Sequence, residues 1–201
     1  MKTTYLFLIT LSIISFTHAQ TEKGKRLVGA KTQLGIGVSN HSVKTADRHY
    51  LSQKNTSIVL TTFAGYFVKE NLAIGGELLF SYTSTKDYDN NSTSSETTIA
   101  FAPFARYYFG AKKAKPFVQG SVGIGSLRSK VEYDSSSNAY EDSSTIVTYS
   151  ATAGFAFFVS DNTAFDLSLG YGGFSATNND DSERKGIQDS FGLNIGISIV
   201  L

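Results

Sequence analysis

The chain has 201 residues, with 18 Lys and Arg against 17 Asp and Glu, a net charge of +1, and no cysteine or tryptophan. Near-neutral charge excludes nucleic-acid binding through bulk positive charge. The missing cysteines exclude a disulfide framework, a thiolate metal site and a cysteine nucleophile. Charged residues make up only 17%, against roughly 25% in soluble domains, while 15 Phe and 11 Tyr bring the aromatics to 13%.

Met1 and Lys2 open a short basic stretch, Tyr5 to Phe16 is an apolar run of 12 residues, and Thr17-His18-Ala19 puts a small residue before Gln20. A spanning helix needs about 20 apolar residues. The pattern therefore predicts a secretory signal over 1–19, cleaved after Ala19. Cleavage there removes Lys2 and no acid, so the remaining charges balance. Residues 20–28 read as a short N-terminal extension.

Beyond it the chain alternates with period two, the mark of half-buried strands. The C-terminus is clearest: Phe191, Leu193, Ile195, Ile197, Ile199 and Leu201 fall opposite Ser190, Gly192, Asn194, Gly196 and Ser198. Phe165 to Tyr171 and Ala30 to Val38 repeat the pattern. This predicts eight strands near 29–43, 55–68, 72–84, 96–109, 116–131, 145–159, 163–176 and 188–201. The connections near 69–71, 110–115 and 160–162 are short, whereas those near 44–54, 85–95, 132–144 and 177–187 are long, polar and expected to be mobile. Short and long alternate, so all the long loops lie at one end of an up-and-down sheet. The segment Phe67 to Ala73 (FVKENLA) echoes Phe158 to Ala164 (FVSDNTA), which predicts two equivalent tight hairpins.

Composition indicates which face meets which medium. The polar face is mostly Gly, Ser, Thr, Ala and Asn, with few Lys or Glu. A solvated outer face would carry many charges, whereas a narrow eight-strand lumen takes small side chains. Tyr66, Phe80, Tyr82, Tyr107, Phe109, Phe157 and Tyr171 cluster near predicted strand ends, as interfacial girdles do. The expected fold is all-β, an eight-stranded antiparallel up-and-down transmembrane β-barrel over 29–201. It must close, because lipid offers no hydrogen-bond partner to a sheet edge. A soluble barrel with the opposite polarity is the alternative.

The stretch Gly29 to Leu201 resembles the bacterial outer membrane β-barrel family, the OmpA/OmpX-like "porin family" domains of eight strands. The resemblance is carried by Phe101 to Phe109 (FAPFARYYF), by the turn Gly65 to Asn71 (GYFVKEN) and by the C-terminus. There Asn194, Gly196, Ile199 and Leu201 match the family's assembly signal, with Leu201 in place of the usual final aromatic. The resemblance implies a cell outer membrane location, contact with membrane lipid and lipopolysaccharide, and handling by the barrel assembly machinery. Pro103 falls mid-strand and removes a ladder donor, so a local bulge is expected there.

Little chemistry is legible. Gly35-Ile36-Gly37 and Gly120 to Gly125 lack the helix a phosphate loop requires. His41-Ser42 resembles the His/Ser pairs of outer-membrane lipid A deacylases, yet such a hydrolase needs Ser activated by His and oriented by an acid. His41 and His49 make a weak metal motif. No cofactor, metal or catalytic residue is assigned, and no nucleic-acid partner. Acids in the long loops, among them Asp87, Asp89, Glu132, Asp134, Glu141, Asp142, Asp180, Asp181 and Glu183, could hold divalent cations bridging lipopolysaccharide, but solvation explains them more simply. Lys112, Lys113 and Lys115 read as a solvated turn.

The registers put four charges on the lumen face: Lys31, Glu77, Arg106 and Asp166. An isolated charge in so narrow a space is costly, so Arg106 is expected to pair with Glu77, Asp166 or both and to plug the lumen. The favoured function is a structural or surface-interaction barrel that is not an enzyme. A small channel for ions or apolar solutes is the alternative, and a lipid A-modifying hydrolase a remote one.

Overall fold

The computed structural model describes residues 21–33, 38–45, 48–88, 91–110, 113–133, 139–179 and 185–201, with side chains outside 38–53, 139 and 185. The expected signal over 1–19 and both loop histidines lie outside these described side chains. The strands are β1 (Arg26–Gln33), β2 (Val38–Thr45), β3 (Arg48–Lys69), β4 (Leu72–Asp87), β5 (Ser92–Tyr108), β6 (Ala114–Tyr133), β7 (Ala139–Phe158), β8 (Thr163–Asn178) and β9 (Lys185–Val200). From β2 onward, neighbours in sequence pair antiparallel. Both β1 and β2 pair with β3, on successive stretches of it, so together they form one stave. β1 also pairs with β9, which closes the sheet into a barrel of eight staves.

The long loops are a correction. Thr45 pairs with Arg48, Asp87 with Ser92, Glu132 with Ala139 and Thr177 with Lys185, so ladder runs into every expected loop and takes up most of the first three. The period-two signal fades where the apolar face ends, but backbone pairing continues beyond it. Pro103 is a second correction. Phe101 pairs with Ile124 and Phe104 with Ser121, so the register is the same on both sides and no residue is inserted. The ladder skips the two residues between them.

The outer wall is an apolar belt: Leu78 is 55% exposed, Ile99 57% and Ile124 61%. The seven aromatics expected as girdles are all exposed on this wall. Tyr66, Tyr107, Phe109 and Phe157 lie toward the short-turn end, and Phe80, Tyr82 and Tyr171 toward the other. On the far rim the Tyr149 hydroxyl donates to Asp189 across Gly173. A Cβ on Gly173 would come within 2.5 Å of the Asp189 carboxylate, so only glycine leaves this crossing open.

The inner wall holds the core, which sits at the short-turn end: Leu27, Phe63, Phe67, Phe104, Tyr108, Phe117 and Phe158 are buried together with Ala73, Ala156, Ala164 and Val200. The expected lumen of mostly small residues therefore holds only for its other half. The two echoing segments build equivalent corners of this core. Phe67 pairs with Ala73 across one hairpin and Phe158 with Ala164 across another, all four buried. Asn71 takes a left-handed φ of 63° at the first of these turns, a conformation Asn tolerates.

Residues ahead of β1 fold beneath the barrel. Gly24 N donates to Phe67 O at 2.9 Å, Phe67 N to Lys25 O at 2.9 Å and Asn71 N to Thr21 O at 2.8 Å. Lys115 corrects the solvated-turn expectation: it is 3% exposed, turns inward, and donates to Thr21 Oγ1 at 2.6 Å. Its even-spaced position before Phe117 and Gln119 puts it on the inner face of β6.

Candidate functional site

Above the aromatic core lies a floor of charged side chains. Arg106 on β5 points inward because Phe104 and Tyr108, two residues either side, share its face. It is 1% exposed. Its guanidinium carbon stands 4.7 Å from the Phe63 ring centre, 4.5 Å from Phe117 and 5.8 Å from Tyr108. Nη1 donates to Asp166 Oδ2 at 2.7 Å, from β5 across the lumen to β8, and to Tyr108 Oη at 3.1 Å. Nε donates to Gln119 Oε1 at 2.7 Å. Gln119 Nε2 in turn donates to Glu77 Oε2 at 2.9 Å, and Lys31 Nζ reaches the same oxygen at 2.9 Å.

The remaining carboxylate oxygens are also engaged. Ser121 Oγ donates to Glu77 Oε1 at 2.7 Å, and Ser198 Oγ to Asp166 Oδ1 at 3.0 Å. The structure thus brings Lys31, Glu77, Arg106 and Asp166 into one network. Arg106 pairs directly with Asp166 and reaches Glu77 through Gln119. Two cations face two anions, and each carboxylate oxygen accepts a hydrogen bond, the condition under which a buried ionic network is not a liability. Sequence reasoning missed Gln119, Ser121 and Ser198. Their signal is parity: Ser198 shares a face with Asn194 and Gly196, and Gln119 and Ser121 share one with Lys115 and Phe117.

Beyond the floor, a cavity of about 400 Å³ opens toward the long-hairpin end. Hydroxyl and amide side chains line it, among them Ser57, Thr83, Thr98, Ser150, Thr152 and Asn194, with Lys31 and Glu77 at its base. Of the residues expected to carry the assembly signal, Asn194 lines this cavity, opposite Gln33 and Ser168. Gly196 lies opposite Lys31, whose Cβ would come within 3.0 Å of a Cβ there, so the glycine leaves room for the lysine. Ile199 lies on the outer wall, and Leu201 is exposed while exchanging two 2.8 Å backbone hydrogen bonds with Arg26.

The acids expected in loops are partly engaged. Asn178 donates to both oxygens of Asp142 at 2.9 and 2.8 Å. Lys130 lies 2.7 Å from Glu132 and 3.8 Å from Glu141. The hydrogen bond to Glu132 holds the Lys130 ammonium above its ordinary pKa. Asp89, Asp134, Asp180, Asp181 and Glu183 lie outside the described residues. Among the described residues, no group of three His, Cys, Asp or Glu could hold a metal ion.

A closed antiparallel barrel with an apolar, aromatic-rimmed exterior and a charged interior is a transmembrane barrel. The family described as outer membrane protein beta-barrel domain matches residues 6–200, and the chain belongs to it. The protein is therefore an outer membrane β-barrel protein of the cell outer membrane. Among solved structures it is similar to Neisserial surface protein A (NspA), at 16% identity and a TM-score of 0.50, covering 88% of this chain and 99% of that one. It is also similar to Ail, the attachment invasion locus protein of Yersinia pestis, at 14% identity and a TM-score of 0.46, covering 89% and 99%. The outer membrane protein OprG from Pseudomonas aeruginosa matches at 12% identity and a TM-score of 0.44, covering 90% and 97%. No curated protein matches the chain by sequence.

Proposed function

We propose that the protein is a plugged barrel that serves the outer membrane through its body and its exposed hairpins, as a structural or surface-interaction protein. The observation that carries this reading is the network of Lys31, Glu77, Gln119, Arg106 and Asp166, seated directly on the buried aromatics. A solute entering the 400 Å³ cavity meets an ion-paired floor and then a buried aromatic core. In this reading the short-turn end faces the periplasm and the long hairpins face outward, as in other outer-membrane barrels. Its partners are membrane lipid and lipopolysaccharide, with the assembly machinery reading Asn194, Gly196, Ile199 and Leu201. It involves no catalytic step and no cofactor.

Planar bilayers with purified protein test the plug. The expected record is flat. Steady single-channel currents would replace this reading with a small channel for ions or small solutes.

A further inference from the structure

The cavity above the charged floor holds polar groups that the plug does not use. Gln33 on β1 stands directly opposite Asn194 on β9. Gly192, the next inner-face residue toward the long-hairpin end, stands opposite Gly170 on β8. These glycines make room for their neighbours. A Cβ on Gly192 would collide with Gln33 Nε2, and one on Gly170 would come within 3.0 Å of Asn194 Nδ2 and 3.1 Å of Thr152 Oγ1. Polar tips from β1, β9 and β7 therefore converge over one bare pair of residues.

Elsewhere in the lining, hydroxyls satisfy one another: Ser57 with Thr83 at 3.1 Å, and Ser121 with Ser150 at 2.8 Å. Among the described residues, the side chains of Gln33, Asn194 and Thr152 have no such partner. At the base, Glu77 takes one of the three donors of Lys31. Lys31 and Glu77 are the charged side chains of the lining, and they neutralise each other. A charged ligand would lose its water there without gaining a counter-charge. Nearer the mouth Phe174 shares the inner face, paired with Thr148 on one side and Gln188 on the other.

The volume of about 400 Å³ lies within the roughly 300–1,000 Å³ of small-molecule sites. Such sites are ordinarily apolar with a few polar groups. Here hydroxyl and amide side chains outnumber Val59, Leu79, Ala102 and Phe174. A matching ligand must give and accept hydrogen bonds on most sides, carry no net charge, and keep one apolar face for the ring. Vicinal hydroxyls on a C–H framework have that chemistry.

We propose that the cavity binds a neutral sugar. Gln33, Asn194 and Thr152 hold its hydroxyls, Lys31 donates to an oxygen at the base, and Phe174 packs on a C–H face. That the pocket is blind and open to the outside rests on the plugged-barrel reading above, whereas the binding groups do not.

Isothermal titration of the full-length purified barrel, folded in phosphocholine detergent, tests the site. The probes are glucose, glucosamine, glucuronate and hexanol. Glucose is expected to give a saturable heat, and the two charged sugars and hexanol none over the same concentrations. Gln33→Leu and Thr152→Val should each weaken glucose binding about fivefold, as one lost hydrogen bond does. Both should keep the heat-dependent gel shift of the folded barrel. Phe174→Leu should weaken glucose as well, and Lys69→Gln, exposed at the short-turn end, should not. If Gln33→Leu failed to fold, Thr152→Val alone decides. The site is overturned by no saturable glucose heat, by equal heat from glucuronate or hexanol, or by unchanged affinity in the cavity variants. Bilayer currents that glucose reduces would overturn the plug and leave the site. A flat bilayer record without glucose heat would do the reverse.

Discussion

Arg106 Nε–H donates to Gln119 Oε1 at 2.7 Å, and this fixes which end of the Gln119 amide faces Glu77. One neutral side chain thereby couples two ion pairs that do not touch. Gln119→Leu should strand the Arg106 Nε–H and cost about 1–3 kcal/mol, the penalty of a buried unsatisfied donor. Urea titration of the vesicle-folded barrel reads it. No loss would mean the two pairs are independent.

Arg106→Met removes the cation from a buried carboxylate. Asp166 then keeps only the Ser198 hydroxyl among the donors described above. The expected loss is roughly 3–5 kcal/mol, and Arg106→Met combined with Asp166→Leu should recover most of it, since replacing a whole buried pair by apolar residues is often neutral. The same titration applies. An unchanged midpoint in the single variant would mean that water, rather than Arg106, neutralises Asp166.

Adjacent residues on β9 face opposite media. Ile197 is on the lipid-facing wall, while Ser198 is buried beside Asp166. Ile197→Arg should cost about 2–4 kcal/mol near the bilayer midplane, and thinner bilayers should reduce that cost. Ser198→Arg should be insensitive to bilayer thickness, because its crowding is internal. The reverse pattern, with Ser198→Arg sensitive to thickness and Ile197→Arg not, would place the register wrong by one residue.

Phe67→Ala and Phe158→Ala test the equivalence of the echoing hairpins. Each removes a buried ring opposite a buried alanine, so each should cost about 3–5 kcal/mol. Differing losses in unfolding titrations would show that only one corner closes the core.

Because the ladders run nearly to the hairpin tips, trypsin added to intact cells should leave Lys86 and Arg128 uncut. Lys86 is paired with Lys54 and Thr93, and Arg128 with Thr97 and Ser143. Mass spectrometry of the surface digest reads the sites. Cleavage after Lys86 would restore the mobile 85–95 loop that composition alone suggested, and cleavage after Arg128 would show that β6 frays further still.

The lipid-facing half of the barrel was legible because its constraint repeats along every strand. Leu167, Leu169, Ile195 and Ile197 each need an apolar medium, and period two records that directly. The four lumen charges were legible for the same reason, since face parity is all that placing Lys31, Glu77, Arg106 and Asp166 requires. The hairpins were not. Residues such as Ser92 to Ser95 pair through backbone groups, which leave no mark on side-chain choice. The aromatic core was hidden by its mixture with the girdle. Around Phe101 to Phe109 rings point both ways, Phe104 and Tyr108 inward and Phe101, Tyr107 and Phe109 outward. Composition by face cannot separate them without sorting by depth as well. Lys115 was misread because its partner Thr21 is remote in sequence.

The exchange of backbone bonds between Arg26 and Leu201 fixes an order of events. The bonds belong to the seam of β1 with β9, so a nascent chain that has not yet reached β9 cannot have it. A chain stopped before β9 would carry two open rows of amide and carbonyl groups, and hydrocarbon cannot satisfy either. Synthesis must therefore pass β9 before the barrel can close in the bilayer, and until then the open sheet has to be sheltered by something other than lipid.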